Sequence, residues 1–162
     1  MKSNKIIIFI SLILLFSLAL SLGAQQKGQQ ELAIDDQQVV ETISSQLMRD
    51  LLLAEGFTDV EIDQDDDIIV RMNGYRLIIF VRPNEYSTIL FRFAISGSNA
   101  DYLTVNDWDK TRLYTRAFLD EDGDPVLEMD LDLTGGVTIA RIRDAIRTYS
   151  QMHASFLVEI TK

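Results

Sequence analysis

The sequence predicts an α+β domain, an antiparallel sheet of about six strands with three helices in the order α-β-β-β-β-α-β-β-α. Three observations carry this reading. Apolar residues recur at three- and four-residue steps in three stretches, the mark of helices with one buried face. Between them the period changes to two, as in strands with one wet face. Asn73-Gly74 and Asp122-Gly123 each join two such strands, and short hairpin loops make neighbouring strands antiparallel.

The first helix is expected from an N-cap at Asp35-Asp36 to about Glu55. Val39 or Val40, Ile43, Leu47, Leu51 and Ala54 form its stripe, and Gly56 sits at the C-terminal left-handed position. Val60 and Ile62 alternate with Asp59, Glu61 and Asp63 as a first strand. Ile68–Met72 and Tyr75–Val81 flank the Asn73-Gly74 turn. Thr88–Ile95 follows a turn at Pro83-Asn84-Glu85, with Ile89, Phe91, Phe93 and Ile95 on one face. Ser98-Asn99-Ala100-Asp101 resembles a capping box opening a helix over about Asp101–Leu113, which aligns Tyr102, Val105 and Trp108. Arg116–Leu119 and Val126–Leu133 form the second hairpin, and Gly135-Gly136 ends it. A last helix runs from Thr138 to Ile160, with Ile139, Ile142, Ile146, Tyr149, His153 or Met152, Phe156 and Ile160 along one side.

Ahead of this domain, Lys2 and Lys5 precede an almost unbroken apolar run from Ile6 to Leu22, and the small residues Ser21, Gly23 and Ala24 at its end lead into polar Gln25-Gln26. This is the layout of a secretory signal peptide over residues 1–24, cut near Ala24; the alternative is an uncleaved anchor in the inner membrane. Both place residues 25–34, a polar linker, and the domain over 35–162 on the periplasmic or secreted side. The sequence has no cysteine, which excludes disulfides, thiolate chemistry and a lipidated N-terminal Cys. Losing Lys2 and Lys5 moves the net charge from −10 to −12. A chain this acidic is repelled by nucleic acid and by anionic lipid, so contact with a membrane is expected only through an uncleaved leader.

Little in the sequence points to catalysis. His153 is the only histidine and lies on or beside an apolar stripe, without a nucleophile motif or partners for zinc. Two acidic runs, Asp63/Asp65/Asp66/Asp67 and Asp120/Glu121/Asp122/Asp124, merit a calcium test. With Gly123 as the sixth position of an EF-hand loop, Phe118 and Met129 fall where acidic ligands belong, so that pattern fails; turn chemistry is the simpler account. Arg141, Arg143 and Arg147 form the one local basic cluster, read either as a solvated face with helix pairs or as an anion-binding strip. Trp108 is either core or contact surface.

The stretch Leu103–Asp109, then Thr115–Asp132 with its Asp-Gly hairpin, then Gly135-Gly136-Val137-Thr138 resembles the YbjN family, named as bacterial sensory transduction regulators. The resemblance covers about Val39 to Ile160. It implies a fold similar to class I type III secretion chaperones, often dimeric, with no known catalytic residues. Asn106 and Trp108 match the family's Asn-x-Trp. Thr138 is followed by Ile139-Ala140-Arg141, where relatives often carry acidic residues. The expected function is therefore an exported, non-enzymatic protein-binding or chaperone-like regulatory module, without cofactor or metal. Its candidate contacts are Asn106, Trp108, Arg143 and Arg147, and its partner is a protein or peptide, or a second copy. The alternatives are a calcium or small-ligand sensor using the acidic turns and an enzyme built on carboxylates.

Overall fold

A computed structural model describes residues 34–82 and 87–161. The expected leader and nearly all of the linker, and the turn at Pro83-Asn84-Glu85, lie outside the described residues. The elements are β1 (Val39–Val40), α1 (Ser45–Ala54), β2 (Val60–Ile62), β3 (Ile68–Met72), β4 (Tyr75–Arg82) and β5 (Thr88–Ala94). They continue with α2 (Tyr102–Thr111), β6 (Arg116–Leu119), β7 (Pro125–Asp132), β8 (Val137–Thr138) and α3 (Ile139–Ile160). The main sheet is antiparallel throughout, in the order β2-β3-β4-β5-β7-β6, and β1 pairs with β8 in a separate two-stranded ribbon. The α+β architecture, the six antiparallel strands and the three helices are those the sequence predicts.

Both predicted hairpins form, and the first does so for the predicted reason. Asn73 and Gly74 both have positive φ, 49° and 88°, the requirement that makes Asn-Gly a hairpin dipeptide. Strand alternation sorts side chains cleanly: Ile68, Val70, Met72, Leu77, Ile79, Ile89, Phe91, Phe93, Leu127 and Met129 face the helices and are buried. Across them lies α3, whose buried residues are Ile139, Ile142, Ala145, Ile146, Tyr149, His153, Phe156 and Ile160. Tyr149 stacks on Phe91 at 5.1 Å and donates its hydroxyl to the Leu127 carbonyl at 3.0 Å. Phe156 meets Trp108 of α2 edge-on at 5.1 Å.

The structure corrects the start of the first helix. Asp35 closes a turn instead, accepting the Gln37 and Gln38 amides, and Val39-Val40 continue as a strand, the preference of adjacent β-branched residues. The helix begins only at Ser45, with Ser44 as N-cap accepting the Leu47 amide. Its buried face is Ser45, Met48, Leu51 and Leu52, while Leu47 is half-buried and Ala54 exposed. The second helix is capped three residues later than the sequence pattern implied. Asp101 and Thr104 exchange the capping bonds, and Tyr102 points outward rather than joining Val105 and Trp108.

The β1–β8 ribbon, not foreseen in the sequence, solves a problem of helix ends. The first amides of a helix lack internal acceptors. Here Ile139 and Ala140 donate to the Gln38 and Asp36 carbonyls, both at 2.9 Å, and Arg141 donates to the Thr138 hydroxyl at 3.2 Å. Gly136 makes the ribbon possible: its φ is 90°, and a Cβ there would sit 2.7 Å from Val39 Cγ1. Gly135 has φ 80° but open space around its Cα. In urea titrations Gly135→Ala should cost about 1 kcal/mol from backbone strain alone. Gly136→Ala should cost clearly more, because the Val39 contact is added; equal costs would contradict this account of the ribbon.

Candidate functional site

The two acidic turns share one local design. Asp63 Oδ1 accepts the Asp65 and Asp67 amides at 2.9 and 3.0 Å, and Asp120 Oδ1 accepts those of Asp122 and Asp124 at 3.1 and 2.9 Å. Each carboxylate is turned onto its own loop, and Asp67 is paired with Arg82 at 2.8 Å. Among the described residues no three His, Asp or Glu side chains gather as metal ligands would. The acidic runs serve as turn chemistry here.

His153 is fully buried on α3. Its ring lies 4.3 Å from that of Phe93 and 6.3 Å from those of Tyr75 and Tyr149. Asn73 Nδ2, which donates to the Ser150 carbonyl, is also 3.2 Å from Nδ1, so the β3–β4 turn is tied to α3. Among the described residues Nε2 has no hydrogen-bond partner. Burial alone pushes the imidazole pKa down to about 4, because the charged ring would have no solvent and no counter-charge.

The candidate contacts separate into three surroundings. Trp108 is in the core, 1% exposed, with its indole N–H donated to Thr115 Oγ1 at 3.0 Å. It positions α2 and offers no surface. Arg143 and Arg147 are engaged within the chain: Glu55, the C-cap of α1, accepts from both at 2.6–3.0 Å, and Asp36 takes a further bond from Arg143. The Arg147 guanidinium first, then that of Arg143, holds the Glu55 carboxyl below its ordinary range against the opposing effect of burial. The basic strip is a clasp between α1 and α3.

Asn106 is the exposed member of the set. It lines a groove of about 480 Å³ between α2 and the edge strand β6, with Tyr102, Leu103, Phe118 and Leu119. Tyr102 and Leu103 are 76% and 70% exposed there, where burial against another surface would be favourable. The β6 edge is itself partly closed, since Ala117 donates its amide to Asp109 of α2 at 2.7 Å.

The sheet face away from the helices is laced with charge. Glu61, Ile69, Ile78, Arg92, Glu128 and Arg116 stand side by side across all six strands. Glu128, 4% exposed, receives Arg92 and Arg116 at 2.7 Å each, and Arg116 also bridges to Asp130.

A second cleft, missed by the sequence reading, lies where β6 ends before β7 does. The register stops at Arg116↔Glu128, whereas β7 runs on to Asp132. The cleft has a volume of about 530 Å³ and is lined by Tyr114, Met129, Asp130, Leu131 and the Arg141–Thr148 side of α3. Its signal in the sequence was the unequal length of the two hairpin runs.

Because His153 is depressed from its ordinary 6.5 to about 4, the unfolded chain binds one more proton between those values. Its contribution is complete above pH 6.5 and is lost as pH falls toward 4, amounting to about 3 kcal/mol at the lower limit. His153→Phe should flatten the fall in stability across that window by one proton, measured as denaturation midpoints against pH. An unchanged slope would contradict a neutral buried His153.

Comparison with known proteins follows the same lines. Among curated proteins none matches in sequence. The crystal structure of YbjN from E. coli, described as "a putative transcription regulator", superimposes with a TM-score of 0.61 at 19% identity. The match covers 75% of this chain and 93% of that one, which establishes a shared fold. Residues 44–161 match the family described as "Putative bacterial sensory transduction regulator". With that match spanning well over half of its length, the chain belongs to the YbjN family.

Proposed function

We propose that this chain is an exported, non-enzymatic regulatory module that works by docking a protein partner on the surface built by α2 and β6. Membership of a regulator family supports a binding role in general. The observation that carries the finer reading is the groove holding Asn106, in which Tyr102 and Leu103 leave large apolar side chains in water beside a sheet edge. A fixed, capped helix presents these residues, since the Asp101–Thr104 capping box and buried Trp108 hold α2 in place. Protein partners are the fitting class because the groove is lined mainly by apolar side chains, with Asn106 and the Asp109 carboxylate as its polar groups. The same surface can receive a second copy of the chain. Export rests on the leader over residues 1–24, and an uncleaved leader would leave the module anchored and facing the periplasm.

A photo-crosslinking residue at Leu103, activated in intact cells, should give a discrete adduct in the periplasmic fraction. The same residue at exposed Ala154 on α3 should not. Leu103→Asp should reduce partner recovery at least tenfold while leaving the unfolding midpoint unchanged. A monomeric protein that forms no adduct at Leu103, or equal adducts at both positions, would contradict the docking surface. Absence from both the periplasmic fraction and the periplasmic face of the inner membrane would contradict export.

A further inference from the structure

The β7 edge beyond the end of β6 carries a second and more specific inference, which rests on the binding-module reading. Leu133 donates its amide to the Ser87 carbonyl at 2.8 Å, and Ile95 donates to the Pro125 carbonyl at 3.4 Å. Odd-numbered residues of β7 therefore turn their main chain toward β5, and even-numbered ones turn theirs toward β6. Val126 and Glu128 meet Phe118 and Arg116. Asp130 and Asp132 come after the ladder has stopped, because the chain at Tyr114, with φ of 73°, turns away to α2. Their amides and carbonyls face the cleft between β7 and α3.

Unpaired main-chain groups on a strand are matched by another extended chain. The open stretch from Met129 to Asp132 spans about 13 Å at ~3.3 Å per residue, room for four residues of a docked strand. Its two faces differ in chemistry. Met129 and Leu131, on the inner face, are 6% and 8% exposed where residues deeper in the sheet, such as Phe91 and Leu127, are fully covered. The core is open to the cleft at this point. Asp130 and Asp132 lie on the outer face, both exposed. Residues opposite one another on paired strands interact directly, and opposite charges there are favourable. The protein's own β6 supplies the precedent, since Arg116 stands opposite Glu128 and reaches both it and Asp130.

We infer that the β7 edge captures an extended peptide segment of a protein partner, with apolar residues alternating with Lys or Arg. Apolar side chains enter the cleft against Met129, Leu131 and Ala145. The basic ones lie along Asp130 and Asp132, and the partner's main chain completes the ladder that β6 leaves short.

The test uses a fluorescein-labelled hexapeptide of alternating Leu and Lys, read by anisotropy against the domain starting at Gln25. Two controls are an alternating Leu-Glu peptide and a Leu-Lys peptide N-methylated at alternate residues, which keeps charge and apolarity but removes the donors. Both should bind at least tenfold more weakly. Asp132→Asn keeps the oxygen that accepts the Thr134 amide, so the turn survives, yet it should weaken the Leu-Lys peptide several-fold. Glu41→Gln, an equal charge change outside the cleft, should leave the affinity unchanged. Thr148→Trp, filling the cleft from α3, should abolish binding. Equal binding by the N-methylated peptide, or equal losses from Asp132→Asn and Glu41→Gln, would reduce the effect to attraction between a cationic peptide and an acidic protein and overturn the inference. If no peptide binds while the Leu103 adduct forms, the edge site falls and the binding-module reading stands.

Discussion

The structure depends on one contact layer, the packing of α3 across the inner face of β5 and β7. A 22-residue helix with a single apolar stripe can be buried only against a broad surface, and the six-stranded sheet supplies it. Phe91, Phe93 and Leu127 receive Tyr149 and His153, and Phe156 carries the contact on to Trp108. From that layer the other elements take their places. The α1 C-terminus is clasped to α3 through Glu55, and the turn that leads into β1 supplies acceptors to the first α3 amides. Burial of this layer is also why His153 stays neutral and why the Tyr149 phenol pKa is pushed far up.

Because the helices are committed to one side of the sheet, the opposite face and the edges remain for other work. The opposite face is balanced internally, with Arg71, Arg76, Arg82, Arg92 and Arg116 each set against a carboxylate. The edges are mostly guarded as well. β2 has only three residues, and the Asp109 carboxylate blocks the Ala117 amide on β6. Among the described residues, two local openings stand out: an apolar groove beside Asn106 and a stretch of β7 without a neighbouring strand. Surfaces left open in an otherwise closed structure are where a partner can be met through shape and main-chain hydrogen bonding.

Much of this was legible in the sequence wherever the determining physics is local. Asn73-Gly74 requires positive φ, Gly135-Gly136 stops a strand, and a stripe repeated over six turns from Ile139 to Ile160 has one interpretation. The misreadings arise where the deciding partner is distant. Val39-Val40 fit a helical stripe until Val137-Thr138, about a hundred residues away, offers them a ladder. Arg143 and Arg147 look like a free basic strip until Glu55 is folded against them. For the candidate site, residue types showed that Asn106 and Trp108 belong to one helix but not which of them faces water. The open β7 edge depends on where β6 stops, which is a property of the assembled sheet rather than of any single run.

That edge can be interrogated without any ligand, through amide hydrogen exchange of the folded domain followed residue by residue by NMR. If β7 lacks a neighbour beyond Glu128, the Asp130 and Asp132 amides exchange orders of magnitude faster than those of Glu128, Met129 and Leu131, which point into paired ladders. Protection of Asp130 and Asp132 equal to that of Glu128 in a monomer would mean the ladder is already complete. The β7 edge would then have no open main-chain groups to offer, and its capture of an extended peptide would be contradicted.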